Sequence, residues 1–253
     1  MRTEVLIVDE FYSDPADMRE YARSLNYYYP YQADACVRSG AVRPTWMTSR
    51  YRPVVECPFK SSRAMISVFE RLTKETIDLE HWRLDYPTNH EGKADVTRAM
   101  ANDHSCLWNC SFHVKLQNLQ PLGEGVHNHV TDAWNSVGED GWTGIVYLDP
   151  SAPINGGLKL WRNRNPKRQF DWMTPRENWE LIDDLGNVFN RLLLVRGNIP
   201  HSGAAGWGDS LQTGRLFQTF FFKVTRASRA PAVKLPVVSR HVARMSKDGQ
   251  SDE

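Results

Sequence analysis

The sequence predicts a mainly β protein with flanking helices, a sandwich or barrel whose helices lie toward the N-terminal side. Three observations predict it. From about residue 105 to 225 the chain breaks into short β-branched or aromatic segments, separated by turn residues and with no long helix between them. Before residue 80, two stretches carry apolar residues at helical spacing. Aromatic residues make up 11% of the chain, with nine Trp, which suits a β-rich core or a lined pocket better than a helical bundle.

The elements follow in order. Residues 4–8 (EVLIV) read as a strand. Ser13-Asp14-Pro15 is a helix start, a capping side chain followed by Pro at the first helical position. The helix from Pro15 to about Leu25 places Met18, Tyr21, Ala22 and Leu25 on one face. Residues 27–53, rich in aromatics, Pro and Gly, read as irregular loop. A second helix over 61–78 sets Met65, Val68, Phe69 and Leu72 at helical spacing. Strands are expected at 107–120, 124–131, 142–149, 157–163, 178–183, 187–196 and 214–225. The turns between them carry Pro121-Leu122-Gly123, Asp149-Pro150, Asn155-Gly156-Gly157, Gly186-Asn187 and Gly197-Asn198. This divides the chain into an N-terminal elaboration (1–104), a β core (105–225) and a basic tail (226–253) expected to be flexible or draped on the surface.

Composition removes several function classes. The 253 residues are enough for one domain with elaborations, and roughly 70–75% of the unfolded surface can be buried at this size. A net charge of +1 provides no global field for nucleic acid or an acidic membrane, so neither is an expected partner. No run of 18 apolar residues exists to span a membrane. The start has one short apolar run, Val5–Val8, flanked by acids, unlike a signal peptide, and a cytoplasmic location is expected. Four Cys are too few for a disulfide scaffold; Cys36, Cys57, Cys106 and Cys110 read as reduced thiols rather than a zinc site.

Chemistry concentrates in three of the eight His. His127 and His129 lie two apart in GVHNHVTD, and in a strand residues i and i+2 face the same way. His201 follows 74 residues later in RGNIPHSG, after an apolar strand. Two ligands from one strand and a third from a distant one can build an open metal site in a barrel, and imidazole suits iron or zinc. His81, His90, His104, His113 and His241 have no partner at a meaningful spacing. Arg215 comes 14 residues after His201, at the head of the apolar strand RLFQTFFF. A guanidinium there is costly without a carboxylate, and a bound dicarboxylate would supply one.

The order His-x-ligand strand, GWTGIVYLDPSAPINGGLKLWR, NRLLLVRGNIPHSG, then an Arg-led strand resembles the Fe(II)/2-oxoglutarate-dependent dioxygenases, in particular the prolyl-4-hydroxylase-like branch. The opening VLIVDEFYSDP resembles the same branch more loosely. The resemblance implies a double-stranded β-helix (jelly-roll, cupin-like) core over 105–225. It implies Fe(II) and the cosubstrate 2-oxoglutarate, with O2 and a small-molecule or amino-acid-type substrate. By it, Arg215 pairs with the distal carboxylate of 2-oxoglutarate, and Tyr147 adds a hydrogen bond or serves as a core aromatic. The family's metal motif is His-x-Asp or His-x-Glu and a distant His. Here the carboxylate position holds His129, giving the set His127, His129 and His201. The alternatives are a set using Asp132, in which Thr131 fills the usual position, and an open or metal-free site. Trp142 and Trp161 are pocket or core residues, and Gln117 and Asn118 are candidates for the substrate side. Gly156-Gly157 reads as a plain hairpin turn. Two other readings stand beside the hydroxylase: a catalytically inactive cupin-like binding protein, and a three-His dioxygenase that does not use 2-oxoglutarate.

Overall fold

The computed structural model describes residues 3–28, 46–49, 57–83, 108–117, 125–130, 136–165, 167 and 174–225. The fold is mainly β. Its large sheet has seven strands in the order β1 (Val5–Val8), β9 (Leu192–Arg196), β6 (Trp142–Tyr147), β11 (Arg215–Phe222), β5 (Phe112–Lys115), β3 (Trp46–Ser49) and β2 (Tyr27–Tyr28). A smaller sheet has the order β10 (His201–Gly203), β7 (Leu158–Asn163), β8 (Trp179–Leu185). The segment at His127 joins its edge through an antiparallel bridge to His201. A short ribbon pairs β12 (Val224–Thr225) with β4 (Thr76–Ile77).

Along the chain, β5 lies in the large sheet, His127 in the small, β6 in the large, β7 and β8 in the small, β9 in the large, β10 in the small and β11 in the large. That winding, with β9-β6-β11-β5 facing His127-β10-β7-β8, is a double-stranded β-helix.

Strand alternation makes two cores from one sheet. Residues of even number on β5, β6, β9 and β11 face outward: Phe112, Val114, Trp142, Val146, Leu192, Leu194, Leu216, Phe220 and Phe222 share one apolar cluster. Helices α1 (Pro15–Ser24) and α3 (Arg63–Thr73) cover that face with Ala22, Ile66 and Phe69, together with the short α2 (Pro58–Ser61) and α4 (Leu79–Trp82). Odd-numbered residues face inward: Ile145, Tyr147, Leu193, Val195 and Phe217 meet Leu158, Leu160 and Leu185 of the small sheet.

Asp14 caps α1 by accepting from the Asp17 N–H at 3.0 Å, with Pro15 at the first helical position. The second helix is shorter than expected. It ends at Thr73 because Lys74 adopts a left-handed conformation (φ 58°) and its N–H closes on the Glu70 carbonyl at 2.8 Å. Residues 76–77 then form β4. The loop expected over 27–53 is also corrected: β2 and β3 extend the large sheet, and Trp46 to Thr48 pair with Lys115 to His113. Of the strand expected over 107–120, the described residues form Phe112–Lys115, preceded by a turn in which Cys110 has φ 66°. Of the strand expected over 124–131, the described residues 125–130 form a single bridge at His127. Residues 201–203, expected only to follow a strand, form β10. The tail and residues 84–107 lie outside the described residues. No helix among the described residues is long and apolar enough to cross a membrane. Cys57 and Cys110 are free thiols; Cys36 and Cys106 lie outside the described residues.

Candidate metal centre and anion seat

The three imidazoles converge because of backbone pairing. His127 and His201 exchange both backbone hydrogen bonds, at 3.0 and 2.8 Å, so they sit directly opposite each other. His129 is held two residues on: its N–H donates to the Gly197 carbonyl at 2.8 Å, and its own carbonyl accepts from Val137 N–H at 2.8 Å. The potential ligand atoms of His127, His129 and His201 all lie within 4.8 Å of one another. This is the group of metal-ligating side chains found among the described residues.

Two of the rings have assigned tautomers. Nδ1 of His127 lies 2.8 Å from the Gly125 carbonyl and Nδ1 of His201 lies 2.8 Å from the Ile199 carbonyl. A carbonyl only accepts, so each Nδ1 carries the proton and each Nε2 keeps a lone pair for a metal. Burial, and next the neighbouring His127 and His129 rings, hold His201 well below the ordinary imidazole range. Three clustered imidazoles, two of them with an Nε2 lone pair free for a ligand bond, fit a divalent cation of the iron or zinc class. Thr131 and Asp132 lie outside the described residues, as does Asn118.

The second half of the site is a buried cation. Arg215 is 2% exposed. Its guanidinium donates to three backbone carbonyls, Gly156 (3.1 Å), Gly157 (3.3 Å) and Ala204 (3.5 Å). No carboxylate among the described residues forms an ion pair with it. Phe217, Tyr147 and Trp207 surround it, with ring centroids 4.8, 5.7 and 5.9 Å from the guanidinium carbon. Burial lowers its pKa, opposed by Tyr147. The Tyr147 hydroxyl is buried without a hydrogen bond of sound geometry among the described residues. Burial pushes this phenol up to about 12, with Arg215 opposing.

Gly203 connects the two halves. It follows His201 by two residues on β10 and so shares its face. A Cβ built on Gly203 would lie 3.4 Å from Arg215 Nη1. Gly203, the guanidinium's neighbour, thus lies one pleat repeat beyond His201, roughly 6.6 Å along the strand. A five-carbon diacid has the reach to touch both ends.

Other expected candidates fall elsewhere. Trp142 and Tyr147 are five apart on one strand, so they face opposite sides of the sheet. Trp142 lies on the outer face under Arg196, 3.8 Å from its guanidinium carbon, and donates to Glu75 at 2.7 Å. Trp161, beyond an irregularity in β7, packs with Val126 and Trp179 and donates to Ser202 Oγ at 2.9 Å. Gln117 is exposed, and its backbone N–H donates to Gly208. Gly156-Gly157 is more than a turn, because both carbonyls receive Arg215. A Cβ on Gly157 would lie 1.8 Å from the Leu185 carbonyl oxygen, so the close approach requires glycine.

Sequence reasoning missed Lys115, Trp207 and His113. Trp207 stands beside Arg215 and donates to Asp149 Oδ2 at 2.8 Å. His113 is stacked between Trp46 and Phe217, and its Nε2 lies 2.8 Å from Thr219 Oγ1. Lys115 Nζ donates to the Ala204 carbonyl at 3.1 Å, and burial, then Arg215, lower its pKa to about 8. Register across strands brings Lys115 to this place, and no local motif marks it.

No family model and no curated protein matches the chain. Among solved structures it is similar to a prolyl-4-hydroxylase from Pseudomonas putida, at 10% identity and TM-score 0.35 over 87% of this chain and 91% of that one. It is similar to HygX from Streptomyces hygroscopicus, solved with nickel, 2-oxoglutarate and hygromycin B bound, at 11% identity and TM-score 0.41 over 87% and 83%. A third is a prolyl hydroxylase from Trichoplax adhaerens in complex with a hypoxia inducible factor peptide fragment, at 15% identity and TM-score 0.35 over 87% and 83%. The fold assignment rests on the strand order.

Proposed function

We propose that this protein is an Fe(II)- and 2-oxoglutarate-dependent oxygenase that hydroxylates a small-molecule or amino-acid-type substrate. One observation carries the reading: His201, in a cluster of three converging imidazoles, lies one pleat repeat along β10 from Gly203, which borders a buried guanidinium that has no carboxylate partner among the described residues. His127, His129 and His201 would hold the metal. Arg215 would pair with the distal carboxylate of 2-oxoglutarate, and the Tyr147 hydroxyl would donate to it. A bound Fe(II) supplies the redox chemistry by which 2-oxoglutarate and O2 become succinate and CO2 as the second oxygen atom goes to a substrate C–H bond.

The chain's own contribution is orientation and exclusion of water. The carbonyls of Gly125 and Ile199 fix the rings of His127 and His201. The apolar wall of Leu158, Leu160, Leu193 and Phe217 would limit water at the seat, which would strengthen a carboxylate–guanidinium pair inside it.

A ligand set of imidazoles alone supports a second reading, a three-His dioxygenase in which Arg215 holds a carboxylate of the substrate itself. Succinate separates the two. Protein loaded with Fe(II) under anaerobic conditions and given 2-oxoglutarate and air should form succinate slowly even without primary substrate. No succinate, together with no binding of 2-oxoglutarate, would remove the first reading.

A further inference from the structure

We infer that Lys115 is a second cationic anchor, and that the distal end of the 2-oxo diacid is held by a two-cation seat made of Arg215 and Lys115. This inference rests on the 2-oxoglutarate reading and adds a residue and a charge rule to it.

The geometry comes from strand register. Arg215 at the start of β11 pairs with Lys115 at the end of β5. Directly opposed residues in an antiparallel pair put their side chains on the same face, about 4.5–5.5 Å apart at Cβ, where like charges oppose each other. Both side chains turn inward to the same acceptor, the Ala204 carbonyl, at 3.1 Å from Lys115 Nζ and 3.5 Å from Arg215 Nη1. Neither makes an ion pair among the described residues. On the other side of Lys115, β3 presents Trp46 in register, which brings no charge.

A lysine has an easier alternative. Its four-carbon stem can carry the ammonium to water, as lysines near a surface do. Here the ammonium is instead drawn beside a buried guanidinium with one carbonyl between them. Two cations sharing one neutral acceptor are costly in the free protein, and an anion placed between them removes the cost for both. The carboxylate that satisfies Arg215 therefore satisfies Lys115 as well.

The consequence is a selectivity rule. A ligand with the same chain but no distal charge leaves both cations uncompensated. 2-Oxopentanoate, in which a methyl group replaces the distal carboxylate, is that ligand. The wild-type protein should prefer 2-oxoglutarate to it strongly, and part of the preference should depend on Lys115.

The test is calorimetric titration of Fe(II)-loaded protein, without oxygen, with 2-oxoglutarate and with 2-oxopentanoate. Wild type, Lys115→Met and Lys115→Arg are compared, with metal content and melting temperature measured for each. Lys115→Met should weaken 2-oxoglutarate about ten- to a hundredfold, the value of one charge-assisted contact, and change 2-oxopentanoate by less than about threefold. Lys115→Arg keeps the charge and should recover most of the loss. Equal losses for both ligands, or a Lys115→Met variant that binds 2-oxoglutarate as wild type does, would overturn the inference while leaving Arg215 as sole anchor. A wild-type protein with no preference between the ligands would remove the 2-oxoglutarate reading and this inference with it.

Discussion

Replacing Arg215 with Met takes a full positive charge out of the protein interior while nearly keeping the side-chain volume. The structure predicts little effect on folding and a large loss of binding. Each carbonyl that receives the guanidinium has a second donor: Gly156 from Asn187 Nδ2 at 3.1 Å, Gly157 from Ala204 N–H at 3.0 Å, and Ala204 from Lys115 Nζ at 3.1 Å. Removing Arg215 therefore strands no acceptor. Three bonds from a charged donor are lost, each about 1.5 kcal/mol or less at these lengths. Against that, desolvation of an ion with no counter-charge costs several kcal/mol. The two nearly cancel, and the variant should melt within about 3 °C of wild type. Binding has no such offset. Breaking a buried carboxylate–guanidinium pair costs about 3–5 kcal/mol, which is between about two hundredfold and several thousandfold in affinity. Thermal shift reads both effects at once. At a hundredfold excess over Kd a ligand adds about 2.7 kcal/mol to stability. For a chain of this size that is about 5–11 °C. Metal-loaded wild type should show this rise with 2-oxoglutarate, and Arg215→Met should show none at the same concentration. A variant that melts more than about 8 °C lower without ligand would mean that Arg215 is a structural residue. A variant with the full ligand shift would refute the anion seat.

His201→Ala should abolish metal binding, read as metal per chain after dialysis, and His127→Ala should do the same; His129→Ala and Asp132→Ala compared in that assay decide the remaining ligand. Tyr147→Phe removes one hydroxyl donor and should weaken 2-oxoglutarate about ten- to a hundredfold with metal content unchanged, a value set by one hydrogen bond to a charged group. Stability should fall with acid through two buried histidines. Burial holds His113 at about 3 and His81 at about 4, against 6.5 for the free side chain. The unfolded chain therefore takes up their protons first as pH drops below 6.5, so their contribution is complete above that pH and is lost toward each folded pKa. Each should cost about 2 kcal/mol between pH 7 and 5, measured by urea unfolding. His81→Asn should remove its own share of that slope, about 2 kcal/mol over the same range, because protonated His81 can no longer accept from the Lys223 N–H as it does at 3.1 Å.

Much of the candidate site is legible because it depends on local parity. His127 and His129 are two apart, and Arg215 heads a strand whose apolar texture is unmistakable. The same parity argument, applied to Trp142 and Tyr147, would have removed Trp142 from the pocket, since residues five apart cannot share a strand face. Trp161 was harder, because an irregularity between Leu160 and Trp161 resets the alternation. Other features leave no local trace. Lys115 meets Arg215 only through pairing between strands 100 residues apart. The Gly156 and Gly157 carbonyls act through the backbone, which every residue has. β3 was hidden by its surroundings, since Pro44 and Pro53 flank a run of only four paired residues.

The outward face of the large sheet has a practical meaning for anyone who would cut this molecule. Phe112, Trp142, Phe220 and Phe222 are almost completely buried, and α1 and α3 are among the elements that cover them. Glu75, just after α3, also bonds Arg196, which stands next to the Gly197 carbonyl that holds His129. A fragment starting near residue 105 would carry the three clustered imidazoles and the guanidinium, yet it would present an aromatic wall to water and lose a brace of the candidate metal centre. The N-terminal helices are thus no accessory to be trimmed for convenience: the β core keeps its aromatic outer face covered only as long as it wears them.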